Sequence, residues 1–409
     1  MTLDDLRGRD AADPLRAMHD AFDLPQGVIY LDGNSLGALP HVTKARMADA
    51  VAREWGEGLV RSWNTAGWID AGARIGGRLA GLIGAQPHET IVADSTSVNL
   101  FKLLEAALTD RPGRRVILSE PGNFPTDLYV AQGVAAMLPD VELRTVPRDR
   151  IIEAIDDSVA VVMLTHVHYR TGERFDMAAL TGAAHDAGAL ALWDLSHSVG
   201  AIAVDLNGAD ADLAVGCGYK YLNGGPGAPA FLFVAERHQA RMRSALSGWM
   251  GHARPFAFGD DYAPAPDMRR FLCGTPPILS MAALEAGVEL FLTADRDALF
   301  AKGQALCSTF IDLVDQRCEG LGLTLATPRD PALRGSHVSF VHDGGFPVMQ
   351  ALIARGVIGD FRAPDILRFG LTPLYVGFED VWNAVETLRD ILVTRSWDDE
   401  RYRVAAAVT

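Results

Sequence analysis

Cysteine is scarce in this chain. Four residues in 409 (Cys217, Cys273, Cys307 and Cys318) are scattered, with no CxxC and no Cys/His pair at zinc spacing. That excludes a disulfide framework and a thiolate zinc site, so no metal is expected, and free thiols in a reducing cytosol are the natural reading. No apolar run approaches the roughly 20 residues of a membrane helix. The opening Met1-Thr2-Leu3-Asp4-Asp5-Leu6 has no basic region leading into an apolar core. A soluble cytoplasmic protein is expected. Basic residues are in deficit, 37 against 52 acidic for a net charge of −15, which argues against nucleic acid as a partner. A small anion is still within reach of a few local arginines.

What is present is ordinary globular material, 49% hydrophobic and 22% charged, long enough for about two to three domains. Across the middle of the chain short apolar runs alternate with helical stretches. Strands are predicted at 90–93, 115–118, 159–164, 189–193, 211–215 and 229–234, and helices at 98–108, 128–137 and 177–187. This alternation predicts an α/β fold, a mostly parallel sheet covered by helices on both faces. The last third reads as a smaller α+β domain. Helices are predicted at 279–292, 301–318, 347–354 and 379–392, and strands at 323–327, 337–341 and 366–369. The expected division is an arm over 1–45, a large α/β domain over 46–290 and a small α+β domain over 291–409.

Ligands of open α/β sheets gather at the carboxyl ends of strands, and four polar clusters fall there. Asp94-Ser95-Thr96-Ser97 opens a helix and offers hydroxyls and free N–H groups to a phosphate, or simply caps the helix. Phe124-Pro125-Thr126-Asp127 offers an aromatic face and a carboxylate, or an ordinary helix start. Asp194-Leu195-Ser196-His197 places an acid where it can keep a pyridinium nitrogen protonated, or cap the next helix. Gly218-Tyr219-Lys220-Tyr221 sets a lone lysine after an apolar run. Alone, that lysine is evenly balanced between a snorkelling side chain and an amine that forms a Schiff base. An aspartate and a lysine at successive strand ends are the pair pyridoxal phosphate requires, and all four clusters together favour that cofactor.

Several segments closely resemble the kynureninase family. They are Tyr30-Leu31-Asp32-Gly33-Asn34-Ser35-Leu36-Gly37, Arg61-Ser62-Trp63-Asn64, Asn123-Phe124-Pro125-Thr126-Asp127, Trp193-Asp194-Leu195-Ser196-His197-Ser198 and Tyr219-Lys220-Tyr221-Leu222-Asn223-Gly224-Gly225-Pro226-Gly227. Ser247-Gly248-Trp249-Met250-Gly251-His252, Gly335-Ser336-His337-Val338-Ser339-Phe340 and Arg368-Phe369-Gly370-Leu371-Thr372-Pro373-Leu374-Tyr375 continue it. The likeness is bacterial in type and runs from about Leu24 to Leu392. It implies the pyridoxal-phosphate-dependent fold type I and hydrolytic Cβ–Cγ cleavage of L-kynurenine, or its 3-hydroxy derivative, in tryptophan degradation.

The resemblance also implies residue roles. Lys220 carries the cofactor as a Schiff base and then removes the Cα proton. Tyr219 is the leading proton donor near Cβ, and Asp194 pairs with the pyridine nitrogen. Thr96, Ser97, Tyr219 and Trp249 surround the phosphate, with Thr275 reaching in from the partner subunit of a homodimer with a shared site. Phe124 stacks on the ring within the Pro125-Thr126-Asp127 turn, with Asp127 beside it. Thr165 and His197 complete the pocket. Arg368 clamps the substrate α-carboxylate, a bidentate role suited to guanidinium, and Ser35 and Trp63 are candidates for the aromatic part. The rivals are a cysteine desulfurase or selenocysteine lyase, an aminotransferase, and a non-catalytic pyridoxal-phosphate-binding module. The first needs a mobile nucleophilic cysteine, which none of the four thiols offers, and the last could lose Lys220, Asp194 or Arg368, which are all here.

Overall fold

Six short β-branched and apolar runs and one polar edge strand assemble into one sheet. The computed structural model describes residues 1–404, and in it the strands are Thr90–Val92 (β1), Val116–Ser119 (β2), Glu142–Thr145 (β3), Val159–Thr165 (β4), Leu190–Asp194 (β5), Leu213–Gly216 (β6) and Phe231–Val234 (β7). Their order is β1-β7-β6-β5-β4-β2-β3. Neighbours from β6 across to β3 are parallel, and β7 runs antiparallel to both β6 and β1. Every residue of β4 is buried. Val159, Val162 and Leu164 enter one apolar core while Ala160, Val161 and Met163 enter the other, so helices cover both faces, as a continuous apolar strand requires.

β3 escapes a sequence reading because it is a polar, part-exposed edge strand. The other six strands lie where the apolar runs predict them, within a residue or two at each end.

The last third forms a four-stranded antiparallel sheet from Thr324–Leu325 (β8), His337–Val341 (β9), Asp360–Arg362 (β10) and Ile366–Gly370 (β11), ordered β10-β11-β9-β8. Helices Arg296–Arg317 and Gly345–Ala354 pack against it, and helix Phe378–Thr394 packs against both of them. The amino-terminal segment docks on this unit. Ile29–Tyr30 pairs in parallel with Val357–Ile358, and the Asp10 carboxylate caps the Phe378 helix by accepting from the N–H groups of Phe378 at 2.7 Å and Glu379 at 2.8 Å. Asp10 lies on a helix, Leu3–Ala11, that the composition of the segment does not announce.

Candidate active site

The carboxyl ends of β1, β2, β4, β5 and β6 lie along one edge of the large sheet, and the four polar clusters converge there. Ser95, the N-cap of helix Thr96–Asp110, accepts from Val98 N at 3.4 Å, and Thr96 and Ser97 form the first turn with their N–H groups unspent. Phe124 and Pro125 open helix Pro125–Met137 directly after β2. Ser95, Thr96, Ser97, Phe124, Thr126, Asp127, Asp194, Ser196, His197, Tyr219 and Lys220 line one cavity of about 230 Å³.

The loop bearing Lys220 is shaped by close approach. A Cβ on Gly218 would lie 2.5 Å from the Pro229 carbonyl oxygen. A Cβ on Gly37 would lie 2.3 Å from the carbonyl oxygen of Lys220 itself, and Gly37 N donates to Tyr219 O at 2.8 Å. The Asp-Gly-Asn-Ser-Leu-Gly segment therefore buttresses the lysine loop.

Two buried carboxyl groups face the cavity. Asp194, the last residue of β5, has one oxygen held by Ser196 N at 2.8 Å and Ser196 Oγ at 2.6 Å. The Asp127 Oδ2 atom lies 3.2 Å from Thr165 Oγ1, which sits 2.5 Å from Asn123 Oδ1, and Asp127 Oδ1 is buried with no partner among the described residues. Burial and, after it, the Asp194 charge hold Asp127 well above the ordinary carboxylate range. Burial also raises Asp194, against the hydrogen bonds from Ser196 and the charge of Lys220. Each of the two buried acids thus resists ionisation, Asp127 the more so for facing the Asp194 charge.

Lys220 is 8% exposed. Its Nζ sits 3.0 Å from His197 Nε2 and 5.6 Å from the centroid of Phe124. Burial first, then the positive charges of Lys220 and Arg368, depress His197 well below the usual imidazole range, so the ring is neutral. Behind it, 5.4 Å between centroids, lies His337, also neutral through burial, with both ring nitrogens unpartnered among the described residues. The Tyr219 phenol is pushed up by burial and stays protonated.

Arg368 lies opposite Asp360 on paired strands and is 1% exposed. Its Nε donates to Asp360 Oδ1 at 2.7 Å, its Nη2 to Asp360 Oδ2 and to Ser35 Oγ at 2.9 Å, and its Nη1 to the Tyr169 carbonyl at 2.6 Å. Ser35 donates to Asp360 Oδ2 at 2.9 Å. Ser35 thus sits beside Arg368, and neither is among the residues lining the 230 Å³ cavity.

Trp63, Trp249 and Thr275 do not line the cavity of the single chain. Trp63 packs edge-on against Trp68 at 6.0 Å and Trp249 at 6.3 Å, and Trp249 against Phe256 at 5.8 Å. Thr275 is exposed. Sequence reasoning assigned nothing to Asp360, Arg362 or His337. The signal for His337 was its place in a family-like segment; Asp360 and Arg362 gave none, since charged residues near a proline read as a surface turn.

The donor set fits pyridoxal phosphate. The orphaned Asp127 Oδ1, the adjoining Asp194, an aromatic face, a helix amino terminus with hydroxyls and a buried amine are what its ring, phosphate and aldehyde need.

Comparison with known proteins agrees. The family model described as the kynureninase C-terminal domain matches residues 299–388. The kynureninase of Burkholderia mallei (strain SAVP1) is 55% identical over 415 residues, covering 100% of both chains, and that of Pseudomonas fluorescens is 53% identical over 414 residues with the same coverage. Among solved structures, an apo cysteine desulfurase from Thermococcus onnurineus NA1 superposes with TM-score 0.78 at 20% identity, over 92% of this chain and 98% of that one. A C-DES mutant with glycine covalently linked to the PLP cofactor gives TM-score 0.75 at 16% identity, over 89% and 97%. At such identities these structures show the fold alone.

Proposed function

This chain belongs to the kynureninase family, and from that premise we propose that it hydrolyses the Cβ–Cγ bond of L-kynurenine to anthranilate and L-alanine. The observation that carries the reading is the buried Lys220 amine, set in one cavity with Asp194 and the Thr96–Ser97 helix start. The cofactor is pyridoxal phosphate, which when bound supplies an electron sink for carbanion chemistry. Lys220 is the residue that would hold it.

The chain's own groups divide the work. Thr96, Ser97 and the free N–H groups of their helix turn would hold the phosphate, and Phe124 would offer the ring an aromatic face. Asp194 would favour a protonated ring nitrogen, with Asp127 nearby in contact with Thr165. Lys220 Nζ takes the substrate's Cα proton, and neutral His197 steadies that amine. Tyr219, still protonated, delivers a proton to Cβ as the acyl group leaves. Water supplies the oxygen and hydrogen that balance the cleavage. Arg368 receives the α-carboxylate with Ser35 adjoining it.

A homodimer completes the site in this reading. The cofactor cavity shares Ser95 and Tyr219 with a second cavity of about 550 Å³ rimmed by Leu36 and Pro277. Exposed apolar side chains at Leu39, Val42, Trp55, Val60, Phe256 and Phe258 suit burial against a second copy. Thr275, and Trp249 with Trp63, would be presented to the partner's cavity. The arm at 1–45, the cofactor domain at 46–290 and the small domain at 291–409 are the proposed units, and the cytoplasm the proposed compartment. No helix among the described residues is long and apolar enough to cross a membrane.

Sulfur transfer is disfavoured. Cys217, Cys307 and Cys318 are buried, Cys273 is half-buried, and burial pushes all four thiols up. The test is direct. The purified protein should be yellow, borohydride should fix the cofactor on Lys220, and L-kynurenine should release fluorescent anthranilate. A yellow protein that releases sulfur from cysteine and no anthranilate overturns the proposal.

A further inference from the structure

Arg368, the arginine expected to meet the substrate carboxylate, is already committed. Four of its N–H donors are engaged by Asp360, Ser35 and the Tyr169 carbonyl, out of about five that a guanidinium owns. The Arg368–Asp360 pair is a closed fork with both members 1% exposed, so its net charge is zero. A neutral pair offers an incoming carboxylate no net attraction.

A second guanidinium restores the imbalance. Asp360 and Arg362 occupy alternate positions of β10 and so share a face of the sheet, the face on which Arg368 stands opposite Asp360. Arg362 Nη2 donates to Asp360 Oδ2 at 2.6 Å and to Ser35 Oγ at 3.3 Å. Its Nε is buried with no partner among the described residues, while the side chain as a whole is 38% exposed. Arg362 is therefore tethered at one end and unspent at the other. The remaining acid of the cluster, Asp32, is held back by burial and by the Asp360 charge, which push its carboxyl up to about 7. Arg170 lies 3.8 Å from Asp365, so that pair cancels itself. His197 and His337 are neutral. Two guanidinium groups face Asp360, with Asp32 only partly ionised near neutral pH, and Arg362, engaged through Nη2 alone, keeps more of its N–H groups free than Arg368 does. Burial dominates at His197 and Tyr219, and the Arg362 charge adds a smaller influence on both.

We propose that Arg362 is a second carboxylate-binding residue of this site, supplying the uncompensated charge and free N–H donors that an α-amino acid's carboxylate meets, while Arg368, locked by Asp360, fixes the direction of approach. The inference rests on the reading of the cavity as a cofactor and amino-acid site, and not on which amino acid is cleaved. Ser35 Oγ bridges both arginines and the acid, and yields its contacts as the carboxylate arrives.

The experiment is an absorbance titration of the holoenzyme with two probes, L-alanine and L-alaninamide, which differ in carrying the carboxylate. Wild type, Arg362→Gln and Arg362→Lys are compared, each first shown to hold the cofactor with unchanged absorbance. In Arg362→Gln the apparent Kd for L-alanine should rise at least tenfold while that for L-alaninamide stays within twofold. Arg362→Lys should recover part of the loss. An unchanged L-alanine affinity, or equal weakening of both probes, overturns the proposal. Neither probe requires kynurenine cleavage, so the outcome stands whether or not anthranilate is ever released.

Discussion

Lys220 and His197 meet at 3.0 Å, amine to Nε2, in a pocket dry enough to keep the imidazole uncharged. A neutral ring there positions the amine without competing for charge. Burial and the charges of Lys220, Arg368, His337 and Arg362 all disfavour a further proton on it. Replacing His197 with Phe should lower kcat on the order of 10- to 100-fold, the cost of one lost hydrogen bond to a charged or reacting group. The acidic limb of the pH–rate profile should not move. An acidic limb near pH 6 that vanishes in the variant would show that His197 does titrate.

The two carboxyls of the cavity should respond unequally to amide replacement. Asp127 sits higher than its ordinary range through burial and its acidic neighbour, so Asp127→Asn imitates the protonated acid and should cost about tenfold or less. Asp194→Asn removes the charge that sustains the ring nitrogen and should cost on the order of 1000-fold, with weaker cofactor retention. Rates and cofactor absorbance for the two variants decide the order. A reversed order would exchange their roles.

Breaking the Asp360 network should be a stability lesion. Asp360→Ala leaves two guanidinium groups facing each other in a buried site and should destabilise the fold by about 3–5 kcal/mol. Denaturant unfolding of the apoprotein measures it. A change under about 1 kcal/mol would mean that water replaces the acid at no real cost.

Asp32 supplies a pH dependence of stability. Burial and Asp360 raise its folded value to about 7 from 3.8, so the folded state keeps a proton that the unfolded chain gives up. That contribution is complete below pH 4 and is lost as pH climbs to 7. Asp32→Asn should remove this slope and gain at most about 4 kcal/mol over wild type at pH 8. Unfolding the apoprotein at pH 5 and pH 8 checks it, and equal slopes in both proteins refute it.

Exposed apolar side chains mark the proposed subunit face. Val60→Asp combined with Phe258→Asp should yield a species with a gel-filtration mass near that of the 44.0 kDa chain and should lower activity, because the partner's threonine and tryptophans are withdrawn. A full-mass dimer with normal activity would move the interface elsewhere.

The large sheet was legible because its strands are buried on both faces and need no partner pattern to be recognised, as Val159–Thr165 shows. Lys220, Asp194 and Thr96 were legible because strand ends are where such a sheet exposes polar groups. The network around Arg368 was not. Asp360 and Arg362 lie on a three-residue strand, too short for a period, and the Asp360 charge is buried only because Arg362 and Arg368 satisfy it. The segment from Ala50 to Gly58, a rare π-helix that ends at Leu59 with φ 53°, was equally opaque. Its buried Glu54 accepts from Trp68 Nε1 at 2.8 Å, a contact that only tertiary packing dictates.

Strand β1, whose following turn offers the phosphate its hydroxyls, has one neighbour in the sheet, and that neighbour is the last strand made. Thr90–Val92 pairs only with Phe231–Val234. On the ribosome the early segment must therefore wait, about 140 residues of synthesis, before its backbone is bonded. Until then the strand that leads into Ser95 has no backbone partner in the sheet. Capture of the cofactor thus reports that the sheet has closed, and a chain stalled before residue 231 should emerge colourless.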